Sequence, residues 1–167
     1  MSFIPSQKGT YILLLRLNAP ALLTVGRLGT FHFPAGVYGY VGSAFGAGGL
    51  RGRLKHHLLP AARPHWHIDY LRSAAPIVEI WYAASADAAE HDWAAALMRL
   101  SGVVIAPRFG ASDCRCAAHL LHFPSRPNLE DFRSQLPNPS QIGVGQLIQR
   151  NREMRFGLPF RLRPRFK

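Results

Sequence analysis

Gly36-Val37-Tyr38-Gly39-Tyr40-Val41-Gly42-Ser43-Ala44-Phe45-Gly46-Ala47-Gly48-Gly49-Leu50-Arg51-Gly52-Arg53-Leu54-Lys55-His56-His57 changes its hydrophobic period in the middle. Tyr38 and Tyr40 alternate and so share one face of an extended strand, whereas Leu50, Leu54 and Leu58 recur at helical spacing. A strand therefore runs through a glycine-rich loop into a helix. On that helix Arg53 and His57 stand at i and i+4, close to Lys55 and His56, which sets a positive surface beside two phenols. Such a surface suits an anion.

Upstream, Gly9 to Leu17 is an apolar run of strand length, ended by Asn18, Ala19 and Pro20. Leu22–Val25 and Thr30–Phe33 flank Gly26-Arg27-Leu28-Gly29, a hairpin signal, and Pro34-Ala35-Gly36 turns the chain into the Tyr38/Tyr40 strand. Downstream, Pro60 stops the basic helix, and His65-Trp66-His67-Ile68-Asp69-Tyr70-Leu71 reads as a short helix. Ile77–Tyr82 alternates as a strand. The next helix, with Ser85 or Asp87 as its cap, runs to about Leu100 and turns Ala89, Trp93, Ala96, Leu97 and Leu100 inward. Val103–Ile105 and His119–Phe123 read as short strands around a loop that holds Cys114 and Cys116. Beyond Pro124 the periodicity fades, and residues 138–167, rich in Pro, Gly, Gln and Arg, read as a flexible basic extension of a domain spanning 1–137.

At 167 residues and 48% hydrophobic, the chain is long enough for one core and too short to favour two full domains. Its net charge of +11 points to a polyanionic partner. Residues 150–167 carry seven Lys or Arg and one acid, so about half of that excess lies in the last eighteen positions. Two cysteines so close together cannot staple a secreted fold, and the expected compartment is the reducing cytoplasm. No signal peptide is visible, and the longest apolar run, broken by Arg16, is too short to span a bilayer, so no membrane partner is expected.

Gly9-Thr10-Tyr11, Tyr40-Val41-Gly42-Ser43, the helix Leu50-x-x-Arg53-x-x-x-His57 and a later helix bearing Glu90 follow one another in an order that resembles the GIY-YIG nuclease superfamily. More closely, the Tyr-Val-Gly-Ser-Ala strand, the His-Trp-His-Ile-Asp-Tyr-Leu segment and the Gly-x-Ser-Asp-Cys-x-Cys-x-x-His loop resemble a bacterial and archaeal branch of unknown function. The resemblance covers Gly9 to Phe123. It implies an α+β fold in which a small antiparallel sheet of three core strands, here with an extra hairpin within residues 12–39, is flanked by helices. It also implies cleavage of phosphodiesters with one divalent metal, Mg²⁺ or Mn²⁺. Tyr11 and Tyr40 would be the motif tyrosines, Arg53 the phosphate-binding arginine, His57 the helix histidine and Glu90 the metal ligand. Gly36-Val37-Tyr38 also spells the first motif, but it abuts Tyr40 and leaves no room for two paired strands; Tyr38 is read as structural.

Hydrolysis of a phosphodiester requires an activated water, neutralisation of phosphate charge and help for the leaving oxygen. Tyr11 is a poor base at its reference pKa of about 10 and serves as one only where neighbouring cations favour the phenolate. Its bland alternative is a sheet tyrosine with the ring in the core. Arg53 offers a planar fork to phosphate oxygens, and Arg51, Lys55 and Ser43 extend the nucleic-acid surface; the alternative is a solvated helix face. A lone carboxylate such as Glu90 suits Mg²⁺, which keeps most of its waters. Asp92 is its rival, and helix N-terminal acids complementing the macrodipole are the alternative to both.

His65, His67 and Asp69 have metal-ligand chemistry, but Trp66 and Tyr70 at i and i+4 favour packing. Cys114, Cys116, His119 and His122 fall within nine residues, yet the Cys-x-Cys spacing departs from the usual zinc knuckle, and thiols bracing a loop are favoured over zinc. The function expected is a metal-dependent endonuclease acting on nucleic acid, DNA in preference to RNA. The rival is a catalytically silent nucleic-acid-binding module or an adaptor associated with repair or the ribosome.

Overall fold

Alternation of the core strands decides the architecture. In the computed structural model, which describes residues 4–59, 63–137, 142–147 and 154–156, strand β1 (Gly9–Leu17) sends Tyr11, Leu13 and Leu15 to one face and Ile12 and Leu14 to the other. After the hairpin of β2 (Ala21–Val25) and β3 (Gly29–Phe33), β4 (Gly36–Ser43) returns antiparallel to β1, placing Tyr11 opposite Gly42 and Leu13 opposite Tyr40. β5 (Ile77–Ala84) pairs with the other edge of β1, with Tyr11 opposite Tyr82. Both neighbours of β1 satisfy its backbone, so the strand carrying the first tyrosine lies inside the sheet and its side chains are almost all buried.

Each face of the sheet is covered by its own helices. The Tyr11/Leu13 face packs against α1 (Gly49–Leu58) and α2 (His67–Arg72) through Leu50, Leu54, Ile68 and Leu71. The hairpin forms its own two-stranded sheet beside α2 and adds Val25 and Phe33 to the same core. The Ile12/Leu14 face packs against α3 (Glu90–Arg99) and α4 (Leu129–Ser134) through Trp93, Leu97 and Phe132. The fold is thus α+β, an antiparallel sheet plus a hairpin, with helices on both faces.

Strand number exceeds the expected three. With β6 (Leu120–Phe123) beside β4 and β7 (Gly143–Leu147) and β8 (Met154–Phe156) beyond β5, the main sheet has six strands among the described residues, in the order β6-β4-β1-β5-β7-β8. β7, β8 and the buried Ile142 fall inside the stretch expected to be a flexible extension; the rest of 138–167 lies outside the described residues. Gly143 and Gly145 hide β7 from a propensity reading, and at Gly143 the missing side chain makes room for a ring: a Cβ there would sit 2.7 Å from Cζ of Tyr82.

Three local expectations are corrected. Val103–Ile105 is not a strand: only Val103 bridges to His122, while Val104 is wedged against both cores. α3 is not capped by Ser85 or Asp87; the Ser85 hydroxyl accepts from the Asp87 N–H, and the N–H of Ala89 before the helix donates to Thr10 Oγ1 of β1. α4 stands where the fading periodicity predicts no helix, although Asn128 supplies an N-cap, accepting from the N–H groups of Glu130 and Asp131 at 2.7 and 3.2 Å.

Candidate active site

Pairing of β1 with β4 puts Gly42 directly opposite Tyr11, and glycine is needed there. A Cβ on Gly42 would lie 2.4 Å from the Tyr11 hydroxyl, so the phenol lies flat across the neighbouring strand only because Gly42 has no side chain. Across the loop Ala44–Gly48, α1 then lowers His57 onto the same spot. Tyr11 Oη and His57 Nε2 are 2.7 Å apart, both buried.

Around this pair opens a cleft of about 370 Å³ lined by Tyr11, Tyr40, Ser43, Arg53, His57 and Glu90, with Trp66 and His67 on one side and Ser112 and Asp113 on the rim. The motif residues singled out from the sequence thus converge, although they come from β1, β4, α1 and α3. Arg51 and Lys55 do not reach it. Both are exposed on the helix, and Arg51 donates from Nε to the Ile4 carbonyl at 3.0 Å. Asp92, the rival acid, is exposed and does not line the cleft.

The wall built by the His65–Leu71 segment does more than the packing expected of it. Ile68 and Leu71 do pack, but Trp66 supports Arg53, whose Cζ lies 4.5 Å from the indole centroid. The indole also meets His56 and His57, at ring separations of 4.4 and 5.6 Å. Asp69 holds the segment's turn by accepting from the N–H groups of His65 and Trp66, each at 3.0 Å, and pairs with Arg72. His67 Nδ1 accepts from the N–H of Gly110 at 3.1 Å. Gly110 has φ +72, and a Cβ there would lie 2.8 Å from the Tyr40 ring, so the residue answers two demands at once. A density of aromatic and histidine residues directly after a basic helix was the available signal for this wall.

Electrostatics sort the site into neutral and charged halves. Burial pushes the Tyr11 phenol well above its usual range, helped by Tyr40, and burial does the same to Tyr40; both are protonated at neutral pH. Burial, with the nearby Arg72 and Arg53 guanidiniums, pushes His57 down to about 3, so its imidazole is neutral. Its Nδ1 has no hydrogen-bond partner among the described residues. Burial alone would raise the Glu90 carboxyl, but the neighbouring His119 imidazole and Ser43 hydroxyl outweigh it and hold the group below its ordinary value. Glu90 is therefore a carboxylate, and its Oε1 lies 2.8 Å from His119 Nδ1, a contact short in distance but poorly aligned as a hydrogen bond.

The cysteine loop borders the cleft through Ser112 and Asp113. Arg108, itself at φ 65, spans the loop and donates to the carbonyls of Cys114 at 2.6 Å, Cys116 at 3.1 Å and Ser112 at 3.3 Å. The loop delivers His119 to the edge of β4, where its carbonyl accepts from the Val41 N–H at 2.8 Å. Burial and the neighbouring Cys114 thiol push Cys116 up. His122 goes elsewhere: its Nε2 is 3.1 Å from the Ala35 carbonyl and its ring packs on Tyr38.

A family model described as "Domain of unknown function DUF123" matches residues 10–139, most of the chain. The chain belongs to the DUF123 family. The matched stretch contains every residue that lines the cleft and the whole cysteine loop. No curated protein and no solved structure matches the chain. The chemistry of this DUF123 domain must therefore be argued from its own side chains.

An ionised carboxylate facing an open cleft fits a hard divalent cation that keeps several waters, and Glu90 is such a carboxylate. Asp113 also lines the cleft, at an exposed position. Arg53, held by Trp66, offers a guanidinium to an anion, and the Tyr11–His57 pair offers a short path for a proton.

Proposed function

We propose that this DUF123 domain is a metal-dependent endonuclease of the GIY-YIG type, hydrolysing phosphodiester bonds in nucleic acid, with DNA preferred. The observation that carries the reading is the convergence of Tyr11, Tyr40, Arg53, His57 and Glu90 on one cleft. No helix among the described residues is long and apolar enough to cross a membrane. The free thiols of Cys114 and Cys116 fit a reducing cytoplasm.

Glu90 would hold Mg²⁺ or Mn²⁺, which when bound would neutralise phosphate charge and lower the cost of deprotonating water. Arg53 grips a non-bridging phosphate oxygen, and its fork is kept in place by stacking on Trp66. A water beside Tyr11 forms the new O–P bond as the P–O ester bond breaks. The water's proton goes to the Tyr11 oxygen while the phenolic proton moves across the 2.7 Å contact to His57 Nε2. Burial and the nearby guanidiniums make neutral His57 a weak base in the free protein; a phosphate anion bound beside it would stabilise the imidazolium and let Nε2 take the proton. The leaving oxygen takes its proton from solvent through the open side of the cleft.

A catalytically silent binding module is the second reading. It is favoured by the depth of the tyrosines: Tyr11 is only 2% exposed and its burial keeps the phenol protonated. Incubation of the purified protein with labelled branched, damaged, single-stranded and duplex DNA and RNA, with and without Mg²⁺, separates the two. Mg²⁺-dependent products support the nuclease, whereas tight binding without products supports the module.

A further inference from the structure

Outside the tyrosine cleft, a second group of side chains among the described residues converges on a point. Nitrogens of His91 and His119 and the sulfurs of Cys114 and Cys116 all lie within 4.8 Å of one another. His91 comes from α3, the thiols from the Arg108-clamped loop, and His119 from the residue before β6, so three separate segments meet there. Cys114 Sγ is 3.4 Å from His119 Nε2. Tetrahedral zinc, with bonds of about 2.3 Å to sulfur and about 2.0 Å to nitrogen, sets such ligand atoms roughly 3.5 Å apart. We propose that His91, Cys114, Cys116 and His119 form a closed Cys₂His₂ site for one structural Zn²⁺.

Three further features fit this assignment. His119 turns Nδ1 toward Glu90, which leaves Nε2 facing the thiols; a carboxylate behind a ligating imidazole is the usual outer partner of a zinc histidine. Carbonyl contacts from Arg108 pre-shape the loop that carries both sulfurs. His91 is exposed and both cysteines are half-buried, so the metal has a path from solvent. Thiolate and imidazole ligands select zinc over Mg²⁺, which keeps this site chemically distinct from the Glu90 carboxylate. His122, which the sequence groups with the cysteines, is excluded because it faces Ala35 and Tyr38. The zinc would brace the loop and, through His119, the Glu90 carboxylate; its binding does not depend on whether the domain cleaves nucleic acid.

Metal analysis of the full chain, purified without chelator or a metal-affinity tag, tests this. About one zinc per chain is expected, as a four-ligand structural site requires. His91→Ala, on an exposed helix position that the fold tolerates, is expected to lower zinc content in parallel with Cys116→Ser. Glu90→Gln is expected to weaken zinc affinity by about 10- to 100-fold in competition with a chromophoric chelator. Cobalt added to zinc-stripped wild-type protein should give thiolate charge-transfer and tetrahedral visible bands, a readout that needs no variant to fold. Protein that holds no zinc and gives no thiolate–cobalt absorption overturns the proposal. So does zinc that survives His91→Ala but disappears in His122→Ala.

Discussion

Tyr11 Oη and His57 Nε2 stand 2.7 Å apart although they are separated by 46 positions in the chain. The contact joins the central strand to the basic helix at the base of the cleft, and the geometry makes distinct demands on each partner. Tyr11→Phe keeps the ring that fills the core and removes only the oxygen. The variant is expected to fold with little change in stability, to bind nucleic acid as the wild type does, and to lose rate by about 10²-fold or more, the scale of a missing proton-transfer group. Single-turnover kinetics beside a binding titration check it.

His57 also leaves a mark on stability. Its pKa is pushed down to about 3 in the fold, against about 6.5 in the unfolded chain, so between those values the unfolded chain binds a proton that the folded one refuses. Stability is therefore full above about pH 6.5 and falls as pH falls through that window, by up to about 1.4 kcal/mol per pH unit for one such group. Burial lowers His67 as well and adds to the same limb, whereas Asp69 and Glu90, held below their ordinary values, act near pH 4 and lower. His57→Gln should flatten the slope between pH 6.5 and 5 in urea melts; an unchanged slope would show that His57 is charged in the fold.

Gly42 is the backbone counterpart of this arrangement. Gly42→Ala places a methyl group where the Tyr11 hydroxyl lies, and relief requires the phenol to move away from His57. The expected cost is about 1–3 kcal/mol of stability, the usual penalty for overpacking. Combining it with Tyr11→Leu should recover part of that cost, since the ring it clashes with is gone. Additive costs in the double variant would contradict the clash.

Positive charge near the C-terminus is expected to supply affinity without sequence preference. Truncation at Gln149 would remove β8, so charge neutralisation is the cleaner test. Replacing Arg161, Arg163, Arg165 and Lys167 by Gln should weaken binding alike for all sequences. It should also flatten the salt dependence by up to about 0.9 in log–log slope for each duplex phosphate that is no longer neutralised. An unchanged slope contradicts that role.

Much of the fold and the cleft was legible in the sequence where short-range pattern and long-range geometry agree. The continuous apolar run Gly9–Leu17, the alternation of Tyr38 and Tyr40, and the helical spacing of Leu50, Leu54 and Leu58 marked the elements that carry Tyr11, Tyr40, Arg53 and His57, and the order of the motifs marked Glu90. Illegible were features set by tertiary neighbours. Pairing across the sheet gives Gly143 to Tyr82, which made a strand of a glycine-rich stretch. His91 meets the cysteines only because α3 packs beside the loop, whereas His122, nearer in sequence, is carried off by its register with Tyr38. Stacking of Trp66 on Arg53 likewise depends on how α2 sits against α1.

Cleavage is expected to depend on a metal held by Glu90, and the most direct measurement compares cleavage with binding in Glu90→Ala. With Mg²⁺ and the best substrate of the panel, the wild type is expected to cut, and to stop cutting when Mg²⁺ is withheld. Glu90→Ala should lose cleavage while binding stays nearly intact, because the change removes negative charge from the cleft proposed to take phosphate. Arg53→Ala, by contrast, should weaken both, since its phosphate contact serves the ground state and the transition state alike. Cleavage that persists in Glu90→Ala and in excess chelator would contradict the nuclease mechanism and leave the binding module in its place.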